Sequence, residues 1–225
     1  MQNNVLIVAP HTDDESISMG GTIKKHIDKG DIVNAISMTD GVGARENLTN
    51  EIKIGRKNSA ILASQILGFN WIASFEFADN KLDTYPLIEI VKCIESVKNK
   101  IKPNIVYTSS ASDLNIDHRI LANAVLTAFR PQPNESCKEI RLFEVASATD
   151  YGHHSVTGKF LPNLFVSIEK EWPYKLKALD AYKSEIRNFP HSRSKEGIKN
   201  LAEYRGKQIG IPMAEAFEVI RKLEE

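Results

Sequence analysis
The chain has little cysteine. Cys93 and Cys137 are the 2 among 225 residues, far apart and in no Cys-x-x-Cys pair. That excludes a disulfide-stapled scaffold and a thiolate zinc site, and it implies two free thiols in a reducing compartment. Net charge is also missing. The 29 Lys and Arg balance the 29 Asp and Glu, so the chain as a whole carries no electrostatic footprint for nucleic acid or an anionic membrane. No apolar run reaches the roughly 18 residues that suggest a spanning helix. The first run, Val5–Ala9, has no basic residue before it and is broken by Pro10, too short for the core of a signal peptide. No internal repeat or low-complexity tract is present. These absences predict a soluble, cytoplasmic protein with no nucleic-acid partner and no membrane span.

What remains is ordinary globular composition, 42% apolar and 26% charged. Two periods alternate along it. Val5–Ala9 is a β-branched run of the kind buried on both faces. Glu15–Lys29 has helical spacing and stops at Gly30. Further strands are predicted at "DIVNAISMTD", "NWIASFEF", "NIVYTS", "EIRLFEVAS" and "NLFVSIE". Helices are predicted at Asn50–Leu67, Tyr85–Lys100 and Asp117–Phe129, and the tail from Trp172 reads as mostly helical. Strand–helix alternation implies βαβ units. The expected fold is α/β, a Rossmann-like, mainly parallel sheet flanked by helices. It is a single domain over residues 1–225, with a core over about 1–170 and a helical C-terminal part over about 171–225. In this class ligands sit beyond the carboxyl ends of the strands, which directs attention to the segments just after each strand.

The first of these is a polar burst, "PHTDDES", directly after a buried strand. His11 and Asp14 stand three apart at a strand-to-helix junction, so both lie on one side of the first helical turn and can share a cation. A catalytic zinc site takes three protein ligands and leaves a position for water. The third ligand is assigned to His118 in "SDLNIDHR", which also follows a strand and opens a helix. The spare carboxylate, Asp13, is placed to take a proton from water on the metal as general base. Glu15 is expected to cap the helix or face solvent. The plainer alternative, that Thr and Asp before a helix are N-caps, applies to each segment alone and weakens when both reach the same sheet edge.

At these residues a family resemblance appears. "APHTDDESISMGG" resembles the Ala-His-Pro-Asp-Asp-Glu signature of the PIG-L (LmbE-like) deacetylases, and "DLNIDHR" resembles their second metal motif. "RKNSAILASQILG", "FADNKLDTY", "IKPNIVYTS", "LFEVAS", "FLPNLFVSI", "KALDAYKSE", "YRGKQIG" and "AEAF" extend the likeness nearly end to end. The resemblance implies a Rossmann-like fold and zinc-dependent hydrolysis of an N-acyl amide, most often N-acetyl on a glucosamine-type sugar, free or nucleotide-linked. It implies one Zn2+ on His11, Asp14 and His118, Asp13 as base, and frequent homo-oligomers. Pro10 before His11 and Thr12 after it are departures that leave the ligands in place. Asn115 stands where many members have a histidine that stabilises the tetrahedral intermediate or donates a proton. An amide can donate to an oxyanion but is no acid. Asp117 matches a position that in such members orients that histidine, which this chain does not have at position 115, and Ser59 replaces a usual Glu.

His153 or His154 in "YGHHS" is a candidate for the missing acid or for a substrate contact, against a plain surface loop. Arg56 is a candidate for a substrate oxygen or phosphate, against a salt bridge. Asp40 is a candidate for sugar hydroxyls, against an Asp-Gly turn. Trp71 and Trp172 read as packing residues, His26 and His191 as structural or exposed. Glu215 is expected to tie the tail to the body through Arg205, and Gly20 and Gly21 to let their helix pack closely. Two rival functions remain: a metal-dependent phosphoesterase, and a non-catalytic sugar- or nucleotide-binding module.

Overall fold
The computed structural model of the protein describes residues 2–224. Its strands are β1 (Asn4–Ala9), β2 (Ile32–Thr39), β3 (Asn70–Phe77), β4 (Ile105–Ser109), β5 (Glu139–Phe143), β6 (Leu164–Ser167) and β7 (Ala214–Lys222). Its helices are α1 (Asp14–Asp28), α2 (Asn50–Leu67), α3 (Leu87–Ile101), α4 (Ile116–Ala128), the single turn α5 (His154–Thr157), α6 (Trp172–Ala181) and α7 (Lys195–Lys207). The strands form one sheet in the order β3-β2-β1-β4-β5-β7-β6. The first five are parallel. The chain runs outward from β1 through β2 to β3, then returns to add β4 on β1's other side. Strand order reverses there, so the crevice lies beyond Ala9 and Ser109.

β1 is buried on both faces because helices cover both. Val5 and Ile7 pack with Ile105, Tyr107 and residues of α1, α2 and α6 on one side. Leu6 and Val8 pack with Val106 and residues of α3 and α4 on the other. That is the period-2 division a doubly covered strand requires. α2 matches its predicted limits because its ends are chemically marked: Thr49 Oγ1 accepts from Ile52 N at 3.4 Å, and Gly68 closes the helix in the left-handed region at φ 89°.

Two expectations change. The tail is helical only in α6 and α7. "AEAFEVIRK" is β7, inserted antiparallel between β5 and β6. Its Ala, Glu and Lys suit a helix, but pairing on both edges overrides that preference. The fifth strand is also shorter than "EIRLFEVAS": it ends at Phe143, and Val145–Thr149 turns back over the crevice.

The tail ties itself to α1 through Glu215, but not through Arg205, which bonds Glu144 at 2.7 and 2.6 Å. α1 breaks at Met19 (φ −139°, ψ 23°). The freed amides of Gly21 and Thr22 donate to the Glu215 carboxylate at 3.0 and 2.6 Å, and Lys175 Nζ donates to it at 2.6 Å. Gly21 permits a close approach, because a Cβ there would sit 2.7 Å from Ile168 Cβ.

Candidate active site
Three loops meet at the switch point. The β1–α1 junction carries His11, Asp13 and, at the first position of α1, Asp14; the β4–α4 junction carries Asp113 and Asn115 and, in the first turn of α4, Asp117 and His118; the segment after β3 carries Asp79. His11 Nδ1 is 3.1 Å from Asp14 Oδ2 and 3.3 Å from His118 Nε2, which is 3.4 Å from Asp14 Oδ2. All three side chains are buried. Ligands about 2.0–2.1 Å from a tetrahedral zinc lie roughly 3.3 Å from one another, so this triangle fits one such ion. Two further observations agree. Asp14 Oδ1 is buried with no hydrogen-bond partner. The cluster also draws positive charge: burial disfavours charged imidazoles, yet Asp14 and Asp113 push His118 up to about 9, and Asp117, Asp14 and Asp79 raise His11.

Carboxylates behind the imidazoles fix their orientation. His118 Nδ1 donates to Asp113 Oδ2 at 2.9 Å, and Asp113 also accepts from Thr149 Oγ1 at 2.8 Å and Asn115 N at 2.9 Å. His11 Nε2 faces Asp79 Oδ1 at 3.1 Å and Asp117 Oδ2 at 3.3 Å. A proton held on these outer nitrogens leaves the inner lone pairs free for a cation. Asp117 is in turn pinned by Asn80 N at 2.7 Å and Leu82 N at 2.9 Å. Its partner is therefore His11 rather than a group at position 115.

Asp13 is 2% exposed. Its Oδ1 meets Arg56 Nη2 at 2.8 Å and its Oδ2 lies 3.3 Å from Arg193 Nη1. Burial raises its carboxyl above the ordinary range, against the pull of Arg56 and Arg193. Arg56 also meets Glu185 Oε1 at 2.8 Å and donates from Nε to Thr12 Oγ1 at 2.9 Å, so it is a buried salt-bridge residue. Glu15 caps the start of α1, as expected of one alternative, but it does not face solvent. It is fully buried, accepts from Asp13 N at 2.9 Å and Tyr182 Oη at 2.9 Å, and burial pushes it up to about 7.

A cleft of about 810 Å3 opens beside this cluster, lined in part by Thr12, Asp40, Arg56, Trp71, Asp79 and Tyr85. Asp40 Oδ1 accepts from Val42 N and Gly43 N at 3.1 and 2.7 Å, the turn arrangement, while Oδ2 faces Lys53 at 3.4 Å. Asn115 caps α4, accepting from Asp117 N at 2.9 Å, and donates from Nδ2 to Asn80 Oδ1 at 3.1 Å. His153 and His154 are exposed around α5; His153 bonds Ser155 Oγ at 2.6 Å, and neither histidine makes a hydrogen bond or ion pair to the cluster. His26 is structural, between Asp31 at 2.6 Å and Tyr107 Oη at 2.9 Å, and Trp71 packs on Phe69. Asp79, Asp113, Tyr182, Glu185 and Arg193 were not singled out from the sequence. The first two lie in strand-end segments that the location rule marks. Of the other three, Tyr182 and Glu185 lie in "KALDAYKSE", a stretch that shares the family likeness without marking either residue for a role, and Arg193 lies in no motif.

Among known proteins, the chain is 28% identical to the diacetylchitobiose deacetylase of Thermococcus kodakarensis over 96% of this chain and 82% of that one. It superposes on the N,N'-diacetylchitobiose deacetylase of Pyrococcus horikoshii, solved with its inhibitor MPG, with a TM-score of 0.78 and 26% identity, over 97% and 84% of the two chains. The 4-carboxy-2-hydroxymuconate hydratase of Pseudomonas putida shares the fold at a TM-score of 0.76 and 19% identity, covering 100% of this chain and 99% of that one, so the fold alone does not fix the reaction. Residues 6–129, which hold both ligand-bearing loops, match the family PIG-L, GlcNAc-PI de-N-acetylase. By that match, this chain belongs to the PIG-L family.

Proposed function
We propose that the protein is a metal-dependent N-deacetylase acting on an N-acetylated amino sugar or sugar conjugate, with one zinc ion per chain held by His11, Asp14 and His118. The observation that carries this reading is the triangle of ligand atoms at 3.1, 3.3 and 3.4 Å. Named activities of the relatives supply the substrate class. When bound, the ion supplies Lewis-acid chemistry: it polarises a carbonyl and lowers the pKa of water to about 7.

The chain's own residues do the rest. Asp13 accepts the proton of the attacking water at Oδ2, the oxygen with the longer guanidinium contact, and returns it to the departing amine. Arg56 on Oδ1 opposes the rise that burial imposes on this carboxyl and so favours its charged form. Asn115 spends one Nδ2 proton on Asn80 and keeps one to donate to the developing oxyanion. The sugar occupies the cleft beside Thr12 and Asp79.

The test is metal analysis followed by an amine- and acetate-release screen over N-acetylated sugars, free and nucleotide-linked. One metal equivalent per chain, acetate release, and its loss in Asp13→Ala are expected. Two equivalents with phosphate release would establish the phosphoesterase instead. Absence of any hydrolysis that Asp13→Ala abolishes would leave only a binding module.

A further inference from the structure
The segment after α6 reaches back to the β1–α1 junction three times. Tyr182 Oη donates to Glu15 at 2.9 Å, Glu185 Oε1 meets Arg56 Nη1 at 2.8 Å, and Arg193 Nη1 lies 3.3 Å from Asp13 Oδ2. All three residues lie outside residues 6–129, the part matched to the family. Asp13 is a residue that needs support. Its φ of 141° is far from the regions open to a side-chain-bearing residue, an arrangement that persists only where the surroundings impose it. Its side chain makes no cap bond to α1. Arg56 alone grips one oxygen, which leaves the carboxylate plane free to turn about that contact. A second guanidinium on the other oxygen, arriving from a distant part of the chain, fixes the plane.

Arg193 is built to do this. Its Nε donates to Ala146 O at 3.2 Å, its backbone N donates to His191 Nδ1 at 3.0 Å, and its carbonyl accepts from Arg187 N at 3.3 Å. The guanidinium is thus held at both ends, between the turn after β5 and the base. We infer that Arg193 is a positioning residue for Asp13: it sets the direction of Oδ2 for proton transfer, so that the tail loop completes the catalytic base. This rests on the functional reading above.

The experiment compares wild type, Arg193→Ala and Arg193→Lys as metal-loaded full chains, on the N-acetylated sugar that the screen finds turned over fastest. Misplacing a reacting group by about 1 Å costs on the order of 100-fold. Arg193→Ala is therefore expected to lower kcat by about 10–100-fold with KM within about twofold, and with metal content and Tm near wild type. Arg193→Lys, which keeps a cation near Oδ2, is expected to recover part of kcat. An unchanged kcat overturns the inference, as does a raised KM at constant kcat, which makes Arg193 a substrate contact. So does loss of metal or of the folded state in both variants, which makes it structural. If wild type releases amine from no sugar, the functional reading falls and takes this inference with it; an active wild type with an unaffected Arg193→Ala overturns the inference alone.

Discussion
Asp113→Asn tests the metal centre through a residue that does not itself join the ligand triangle. Asp113 is fully buried and is surrounded by three donors. Oδ2 accepts from His118 Nδ1 and Thr149 Oγ1, and Oδ1 accepts from Asn115 N. An asparagine has one acceptor oxygen and one NH2. Turned one way, its NH2 faces the His118 ring N–H; turned the other, it faces the Asn115 backbone N–H. The Thr149 hydroxyl can rotate to accept, but the other two donors cannot both be satisfied. A buried donor left unpaired costs about 1–3 kcal/mol. The part of this borne by His118 falls on its inner lone pair, because the alternative tautomer points a proton at the ligand triangle. Loss of such a supporting carboxylate typically costs about 10–100-fold in metal affinity, or about 1.4–2.8 kcal/mol. Zinc Kd measured by chelator competition should therefore weaken by that factor in Asp113→Asn. Asp40→Asn, a turn residue, should leave it within about twofold. An Asp113→Asn affinity equal to wild type would refute the assignment of His118 Nε2 as a ligand held from behind by Asp113.

Three further outcomes follow from the packing and electrostatics. Gly21→Ala would place a Cβ 2.7 Å from Ile168 Cβ and Cγ2 and should lower stability by about 1–3 kcal/mol; Gly55→Ala, a helix position open on all sides, should raise it by about 0.5–1 kcal/mol. Urea midpoints check both, and similar shifts in the two variants would refute the close approach. Burial alone would raise the Glu185 carboxyl, but Arg56 and Arg45 take it below its ordinary value. Its stabilisation is therefore complete above about pH 4.5 and is lost as pH falls through the lower folded value. The stability gap between wild type and Glu185→Gln should shrink over that acid range, and a constant gap would refute the pairing. Cys137 is buried and its thiol is pushed up to about 11, whereas Cys93 is half-buried on α3. A thiol reagent at neutral pH should label Cys93 first and Cys137 only on unfolding; simultaneous labelling would contradict the burial.

The parts of this molecule that could be read from its sequence are those whose signal is local. β1 announces itself because a strand covered on both faces must be apolar throughout, and α2 because Thr49 and Gly68 mark its ends. His11, Asp14 and His118 stand out because chemistry-bearing residues directly follow apolar runs, and the topology of a parallel sheet then says they meet. Asp113 and Asp79 fall in the same segments, but which carboxylate backs which imidazole depends on side-chain directions that spacing does not encode. The burial of Glu15 is hidden from the sequence for a related reason. A carboxylate in the first turn of a helix is a cap or a solvated group by every local rule, and only Tyr182, 167 residues on, turns it into a buried acceptor. β7 hid behind helix-forming composition because its identity is decided by two neighbouring strands rather than by its own residues. Arg193 lies in no motif, and Tyr182 and Glu185 share only the general likeness of "KALDAYKSE", since a lone Arg, Glu or Tyr in the tail is ordinary. Each matters through a contact made across most of the chain's length. The division follows the physics: the metal triangle is assembled from short, self-contained loops and is legible, whereas the grip on Asp13 is a long-range tertiary property and is not.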